Sequence, residues 1–489
     1  MPINKPLWLG QGGKGMFTLH VSGNDVNGRP VGLDNNNMLS SVPMFETKEN
    51  GLEYTVSTPH IGRVSLSEGI GKDVFYAVFT ANGYADDRND VKNTNSELHI
   101  YKALKNDVGL DSTDIQGTNS KQSKAEIIKK ISVGKTGGLS EPTLIDTNLN
   151  GVIDVVYAGD YQGNMYRFDL RSKADDWKVT KIFSGDQPIT SAPAVLKKGK
   201  NEYVVIWGTG SDLYADDSTD KTQQSVYGIY DNIDKPVQYV TTKRDLFEQR
   251  WAESTEQYRT VMPMTKDEKE RLVFVPKTDV AKHSGYKTAI IKNGWYINLK
   301  NNGERVVVRP QLELQTVILI TRSYNINQNT NGDTQDKCIA VSTTTQTNSE
   351  SWMLQLNATN GGQITTNTKD GNAYIDFANT GEKDANGRLI KAPTEIYSAY
   401  KVSNDVSSFV LSNGSRQNNL SVSVNGEESY SGESLELGGD YKFRNNCYKK
   451  SEYKRNLFIQ SGNEIQSFQF NGPICKNRLR RIAWREIFW

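Results

Sequence analysis

The chain has 489 residues, 36% hydrophobic and 24% charged, and 58 lysines and arginines balance 57 aspartates and glutamates to a net charge of +1. That balance leaves no basic field to attract nucleic acid, and no apolar stretch approaches the roughly 20 residues of a membrane-crossing helix. With 41 Gly, 23 Tyr and 15 Phe among many Asn, Ser and Thr, the composition predicts an all-β protein of short strands and tight turns.

At the start, Met1 to Leu9 lacks the positive segment and apolar run of a signal peptide, so the expectation is either a cytoplasmic protein or a chain incomplete at its N-terminus. Gly10-Gln11-Gly12-Gly13-Lys14-Gly15 has the glycines of a phosphate loop but not its Gly-Lys-Ser/Thr spacing. The β-prone Met16 to Val21 follows, which predicts a Gly-rich hairpin.

Three units then share one pattern: Ser/Thr and Pro, a short strand, a strongly β-prone strand, a Gly-containing turn and another strand. The first runs from Ser57-Thr58-Pro59 through Val74 to Phe79 and Asn82-Gly83 to Glu97 to Tyr101. The second has Ser140-Glu141-Pro142, Val155 to Asp160, Gln162-Gly163-Asn164 and Met165 to Phe168. The third has Ser191-Ala192-Pro193, Val204 to Gly210 and Ser225 to Tyr230. The spacing of Pro59, Pro142 and Pro193 is too uneven for a WD40 array of ~40 to 45 residues per repeat, but suits propeller blades with long inserted loops. A β-sandwich or solenoid is the alternative.

Within the second unit lies Asp146-Thr147-Asn148-Leu149-Asn150-Gly151-Val152-Ile153-Asp154, between two expected strands. Ca2+ takes six to eight hard oxygen ligands, and alternate positions of a tight loop direct several at one point. Asp146, Asn148 and Asn150 offer side-chain oxygens, Val152 its carbonyl and Asp154 a carboxylate, with Gly151 at the sharp turn. The twelfth position is Tyr157 rather than Glu, so the loop departs from an EF-hand, and two carboxylates predict micromolar or poorer affinity. The competing reading is an Asn-rich turn whose side chains cap their own backbone.

Residues 242 to 275 interrupt the alternation. Lys243 to Trp251 places apolar residues at helical spacing, and Thr265 to Arg271 is a charged, helix-competent segment, so residues 242–290 are expected to form a partly helical insertion between N-terminal blades (1–241) and C-terminal blades (291–489). Strands resume at Trp295 to Leu299, Arg305 to Val308, Thr316 to Thr321, Ser351 to Leu356 and Ser407 to Leu411, with Asn325 to Asp336 and Thr343 to Ser351 expected as mobile loops. The four histidines, His20, His60, His99 and His283, lack metal-ligand spacing. The acidic pairs Asp86-Asp87, Asp175-Asp176 and Asp216-Asp217 are expected as solvated loop tips. No nucleophile motif accompanies a positioned base, so catalytic residues are expected to be none. Cys447 and Cys475 could pair across neighbouring strands, leaving Cys338 over. Arg478 to Trp489, alternately basic and apolar, is read as a closing strand, with a docking strand as the alternative.

The segments Gly138 to Pro142, the 146–154 loop, Val156 to Leu170, Pro188 to Pro193, Gly208-Thr209-Gly210, Gln224 to Asp231 and Trp484 to Phe488 together resemble the C-terminal propeller of the PilC/PilY family of type IV pilus tip-associated adhesins. Gly12 to Gly15 and Phe79 to Tyr84 fit as well. The resemblance implies a modified, quinoprotein-like β-propeller over residues 1–489 that is secreted and acts at the pilus tip or outer-membrane surface. It implies a role in pilus biogenesis, twitching motility and host-cell adhesion, with pilins and a host-cell receptor as partners. It also implies Ca2+ as structural ion and switch at Asp146, Asn148, Asn150, Val152 and Asp154. The family's signal peptide, variable adhesive region and a further upstream blade are not visible in the sequence, so a fragment is expected. The other function classes are a quinone-dependent dehydrogenase sharing the architecture and a purely structural scaffold.

Overall fold

The computed structural model describes residues 6–10, 13–20, 43–47, 52–67, 73–103, 126–237, 239–276, 289–331, 342–364, 382–383, 389–391, 397–402, 406–413, 454–461 and 464–471. The three cysteines, His283 and Arg478 to Trp489 lie outside them.

The β-prone runs pair with their sequence neighbours into antiparallel sheets that follow one another along the chain. Pro6–Gly10, Met16–His20 and Pro43–Thr47 form the first, and Gly10 faces Met16 across the expected Gly-rich hairpin. Blade 1 is His60–Ser65, Val74–Ala81, Asn95–Lys102 and Ile127–Lys135. Blade 2 is Thr143–Ile145, Val155–Gly159, Met165–Asp169 and Lys178–Phe183. Blade 3 is Ala194–Gly199, Glu202–Gly208, Ser225–Asn232 and Gly294–Asn298, with Phe247–Gln249 added in parallel. Blade 4 orders Gln311–Glu313, Thr316–Asn331, Ser342–Asn357, Ala399–Val402, Tyr258–Val261 and Trp251–Ser254. A last sheet holds Val406–Asn413, Lys454–Ser461 and Glu464–Asn471.

Side-chain alternation explains why the sheets stack. Successive residues of a strand point to opposite faces, and here both faces are apolar. In blade 2, Val156 and Ala158 pack against Phe79 and Leu98 of blade 1, while Val155 and Tyr157 pack against Val205 and Trp207 of blade 3. Blade 3 turns Val204 and Ile206 to Val317 and Leu319 of blade 4, whose Ile318 and Ile320 meet Phe409 and Leu457 of the last sheet. No sheet of this kind covers both of its faces alone, so radial stacking as a β-propeller is the arrangement that buries them.

Three local expectations are corrected. Lys243 to Trp251 is not helical: a 3-10 turn at Lys243–Asp245 leads into two short strands. Nine residues are too few for a self-supporting helix, and here Phe247–Gln249 pairs with Gly294–Asn298 while the Trp251 indole donates to the Asn298 carbonyl at 2.8 Å. Helix α1, Lys266–Arg271, does form, with Thr265 and Glu268 as its capping box. The polar stretches Asn325 to Asn331 and Ser342 to Ser351 belong to one long antiparallel hairpin rather than to loops, because they continue the register of the buried Val317 to Ile320 and Trp352 to Leu356. Arg305 to Val308 is no strand; Arg305 makes an isolated bridge to Arg322.

Candidate metal centre

The loop from Asp146 to Asp154 joins the first two strands of blade 2 and is tied to both neighbouring blades. The Ile153 N–H donates to the Arg63 carbonyl of blade 1 at 2.8 Å, and Lys197 Nζ of blade 3 donates to the Thr147 carbonyl at 2.8 Å. Leu149 and Gly151 take positive φ, 62° and 81°, which turns the chain sharply enough for its polar side chains to fold inward. Asp146 Oδ1 and Asn148 Oδ1 both accept from the Asn150 N–H, at 3.2 and 3.0 Å. Asp146 Oδ2 accepts from Gly151 at 2.7 Å, and Asn150 Oδ1 from Val152 at 2.8 Å.

Asp154 is only 8% exposed. Its Oδ2 accepts from both the N–H and the hydroxyl of Thr147, at 2.9 and 2.5 Å, which pins the last residue of the loop to the second. Its Oδ1 and the Val152 carbonyl accept no hydrogen bond within the described residues. The buried Tyr203 hydroxyl also has no partner there, and its pKa is raised by burial and then by the Asp154 and Asp146 carboxylates, which places the phenol within the field of the loop. Hard, partly unspent oxygens with two carboxylates fit Ca2+ better than Mg2+, whose tight octahedron tolerates such a set poorly. All five expected residues thus lie in this one bend. Thr147, Arg63 and Lys197 escaped the sequence reading; the last two because they come from other blades.

A family model described as the PilY1 beta-propeller domain matches residues 8–257, more than half of the chain. The chain belongs to the PilY1 β-propeller family. Among the relatives, the type IV pilus biogenesis factor PilY1 of Pseudomonas aeruginosa strain UCBPP-PA14 is 29% identical over 265 residues, covering 46% of this chain and 19% of that protein. A PilY1 homolog of Xylella fastidiosa is 27% identical over 231 residues, with 46% and 15% covered. The match therefore spans less than a fifth of these relatives' length. The crystal structure of the Pseudomonas aeruginosa PilY1 C-terminal domain aligns over 95% of this chain and 79% of that domain, at TM-score 0.55 and 21% identity, a likeness of fold.

Much of what carries the resemblance to the PilY1 propeller has structural work. In Asp160 to Asn164, the buried Asp160 carboxylate accepts from the Asn164 N–H and amide and from the Tyr166 hydroxyl, all at 2.8 Å, closing the turn at Gly163. Arg167 pairs with Asp231 of blade 3 at 2.7 Å, both nearly buried, and the Tyr157 hydroxyl donates to the same carboxylate. In Asp216-Asp217 only the first residue is solvated as expected: Asp217 is buried, its Oδ2 accepts from Ser211, Leu213 and Tyr214, and Arg88 of blade 1's inserted turn reaches both residues. His99 is fully buried between Glu97 and Tyr101. His60 instead meets Glu141 and Arg309.

Proposed function

We propose that this chain is the propeller module of a type IV pilus biogenesis factor, with the 146–154 loop as its Ca2+ site. The observation that supports the metal reading is that the Asp146, Asn148 and Asn150 side chains all fold back into one bend, the first two onto the same N–H, and that Asp154 closes its ends. Asp146, Asn148, Asn150, Val152 and Asp154 would hold the ion, which would supply a divalent positive charge to oxygens that otherwise bond only within the loop. The chain's own part is to present that bend between two blades, through Arg63 and Lys197. Occupancy stiffens the contact of three blades, and at ion concentrations about 100 times Kd it contributes ~2.7 kcal/mol toward the ordered form. That is enough to switch a surface between two states.

The pilus reading is supported by family membership and by relatives named as type IV pilus biogenesis factors. In this reading the module acts at the cell surface with pilins and contributes to adhesion and twitching motility. Deleting the gene in the source bacterium and counting surface pili tests it: pili should be lost and return with the wild-type gene, and undiminished piliation in the deletion strain refutes the role. Calorimetric titration of the whole chain tests the ion: binding of Ca2+ with little response to Mg2+ is expected, and no Ca2+ binding at millimolar concentration refutes the site.

A further inference from the structure

Asn150 is followed by Gly151, the pairing in which an asparagine side chain is most open to attack by its own main chain, because glycine has no Cβ to shield its nitrogen or restrict the backbone. In the 146–154 bend the groups around this pair are arranged for that reaction. Gly151 is exposed at φ 81°, and its N–H donates to Asp146 Oδ2 at 2.7 Å. A carboxylate at that distance is in place to take the proton as the nitrogen attacks. Asn150 Oδ1 accepts from the Val152 N–H at 2.8 Å, a donor aimed at the oxygen on which negative charge develops in a tetrahedral intermediate. Arg63 Nη1 of blade 1 lies 3.4 Å from where a Gly151 side chain would begin, which adds positive charge beside the reacting atoms. The leaving nitrogen, Asn150 Nδ2, donates to nothing among the described residues.

Asn360-Gly361 supplies the contrast within the same chain. Its Oδ1 accepts from the Gly362 N–H at 2.9 Å and Gly361 takes φ 71°, so the turn is alike. The Gly361 N–H, however, goes to the Asn357 carbonyl at 2.7 Å, and Asn360 Nδ2 stands 3.9 Å from Met264 Sδ. A neutral carbonyl is no base for an amide proton. At Asn82-Gly83 the buried side-chain amide is tied at both ends, to the Glu97 N–H and the Asn95 carbonyl.

We propose that Asn150 is a self-modification site at which the folded loop promotes its own deamidation. The Gly151 nitrogen bonds to Cγ of Asn150 while its proton passes to Asp146 and on to Nδ2; the Cγ–Nδ2 bond breaks, ammonia leaves and a succinimide ring closes. Solvent water then opens the ring, adding its hydroxyl to carbon and its proton to nitrogen. Opening at Cγ gives aspartate, and opening at the main-chain carbonyl carbon gives isoaspartate, which adds a methylene to the backbone of the bend. No oxidant or reductant takes part. Aspartate gives the loop a third carboxylate and so a stronger hold on Ca2+; this consequence rests on the metal reading, and the deamidation does not.

Mass spectrometry of the digested whole chain, aged in chelator at neutral pH, tests the reaction, with isoaspartate methyltransferase marking the second product. Deamidation at Asn150 should run at least about tenfold faster than at Asn360, and the two rates should converge in guanidinium chloride, where the fold is lost. Asp146→Asn, shown by its melt to be folded, should slow the reaction at Asn150 by about tenfold or more. Equal rates at the two sites in the folded chain, a preference for Asn150 that persists unchanged in denaturant, or an undiminished rate in folded Asp146→Asn overturns the proposal. Asn150→Asp, the product made directly, should bind Ca2+ about tenfold more tightly than the wild type. No gain over a wild type that binds Ca2+ overturns the consequence for the ion; a wild type that binds no Ca2+ refutes the metal reading, while the two rates still decide the deamidation.

Discussion

Replacing Asp154 by Ala acts on two separable quantities, and the loop geometry gives the size of each. Without metal, the substitution leaves the Thr147 N–H and hydroxyl, both bonded to Asp154 Oδ2 in a site where each residue is 8% exposed, without their acceptor. At about 1–3 kcal/mol for each unmet buried donor, partly offset by water reaching the loop, the metal-free protein should lose about 2–4 kcal/mol. With Ca2+ at about 100 times its Kd, a further ~2.7 kcal/mol of ion-linked stability should vanish. Asn148→Ala is the companion variant: Asn148 is exposed and, among the described residues, its side chain accepts only the Asn150 N–H, so the metal-free cost should stay within about 0.5–1 kcal/mol while Ca2+ binding weakens. Thermal or denaturant melts of the three proteins, each in chelator and in Ca2+, separate the two effects. An Asp154→Ala protein whose melting still rises with Ca2+ as the wild type's does would refute the assignment of this carboxylate to the metal.

Three further predictions use other parts of the structure. Lys197→Met removes a positive charge held at the Thr147 carbonyl and should tighten Ca2+ binding by on the order of 1 kcal/mol, a few-fold in Kd; titration calorimetry showing unchanged or weaker binding would contradict that electrostatic role. Glu304 is fully buried, takes both oxygens' bonds from Arg259 at 2.9 Å and accepts from Thr321 as well, while Arg259 lies 3.7 Å over the Trp352 ring. Glu304→Ala should therefore cost about 3–5 kcal/mol by stranding a guanidinium in the core, and a denaturation midpoint close to wild type would count against it. Burial lowers the His99 pKa below its ordinary 6.5, with the Glu97 hydrogen bond opposing. The folded state thus disfavours the proton that the unfolded chain takes up, so stability present above about pH 6.5 falls as pH drops toward the lowered value. His99→Gln should flatten that slope between about pH 7 and 5, and an equal slope in both proteins would exclude His99 as its source.

The local signals in the sequence carried far because propeller strands are built from them. Runs such as Val155 to Gly159 and Val204 to Gly208 alternate two apolar faces, and the Gly-containing turns fix where each hairpin reverses, so the inner strands of blades 1 to 3 were legible without coordinates; the next strand of blade 3, Gly294–Asn298, was expected among the C-terminal blades instead. The five residues proposed for Ca2+ lie within nine consecutive positions, so the sequence alone places them in one tight bend. Blade 4 was not legible, since it takes Tyr258–Val261 and Ala399–Val402 into one sheet across long stretches of chain, and no short window encodes which distant edge a strand will meet. That pairing also decided Phe247–Gln249, where an open sheet edge outweighed a helical spacing too short to stand by itself. Lys197 and Arg63 gain their meaning the same way. Each is an ordinary basic residue in the sequence, and only the radial stacking of blades brings it to the loop of its neighbour, because the burial that drives stacking acts between whole faces rather than along the chain.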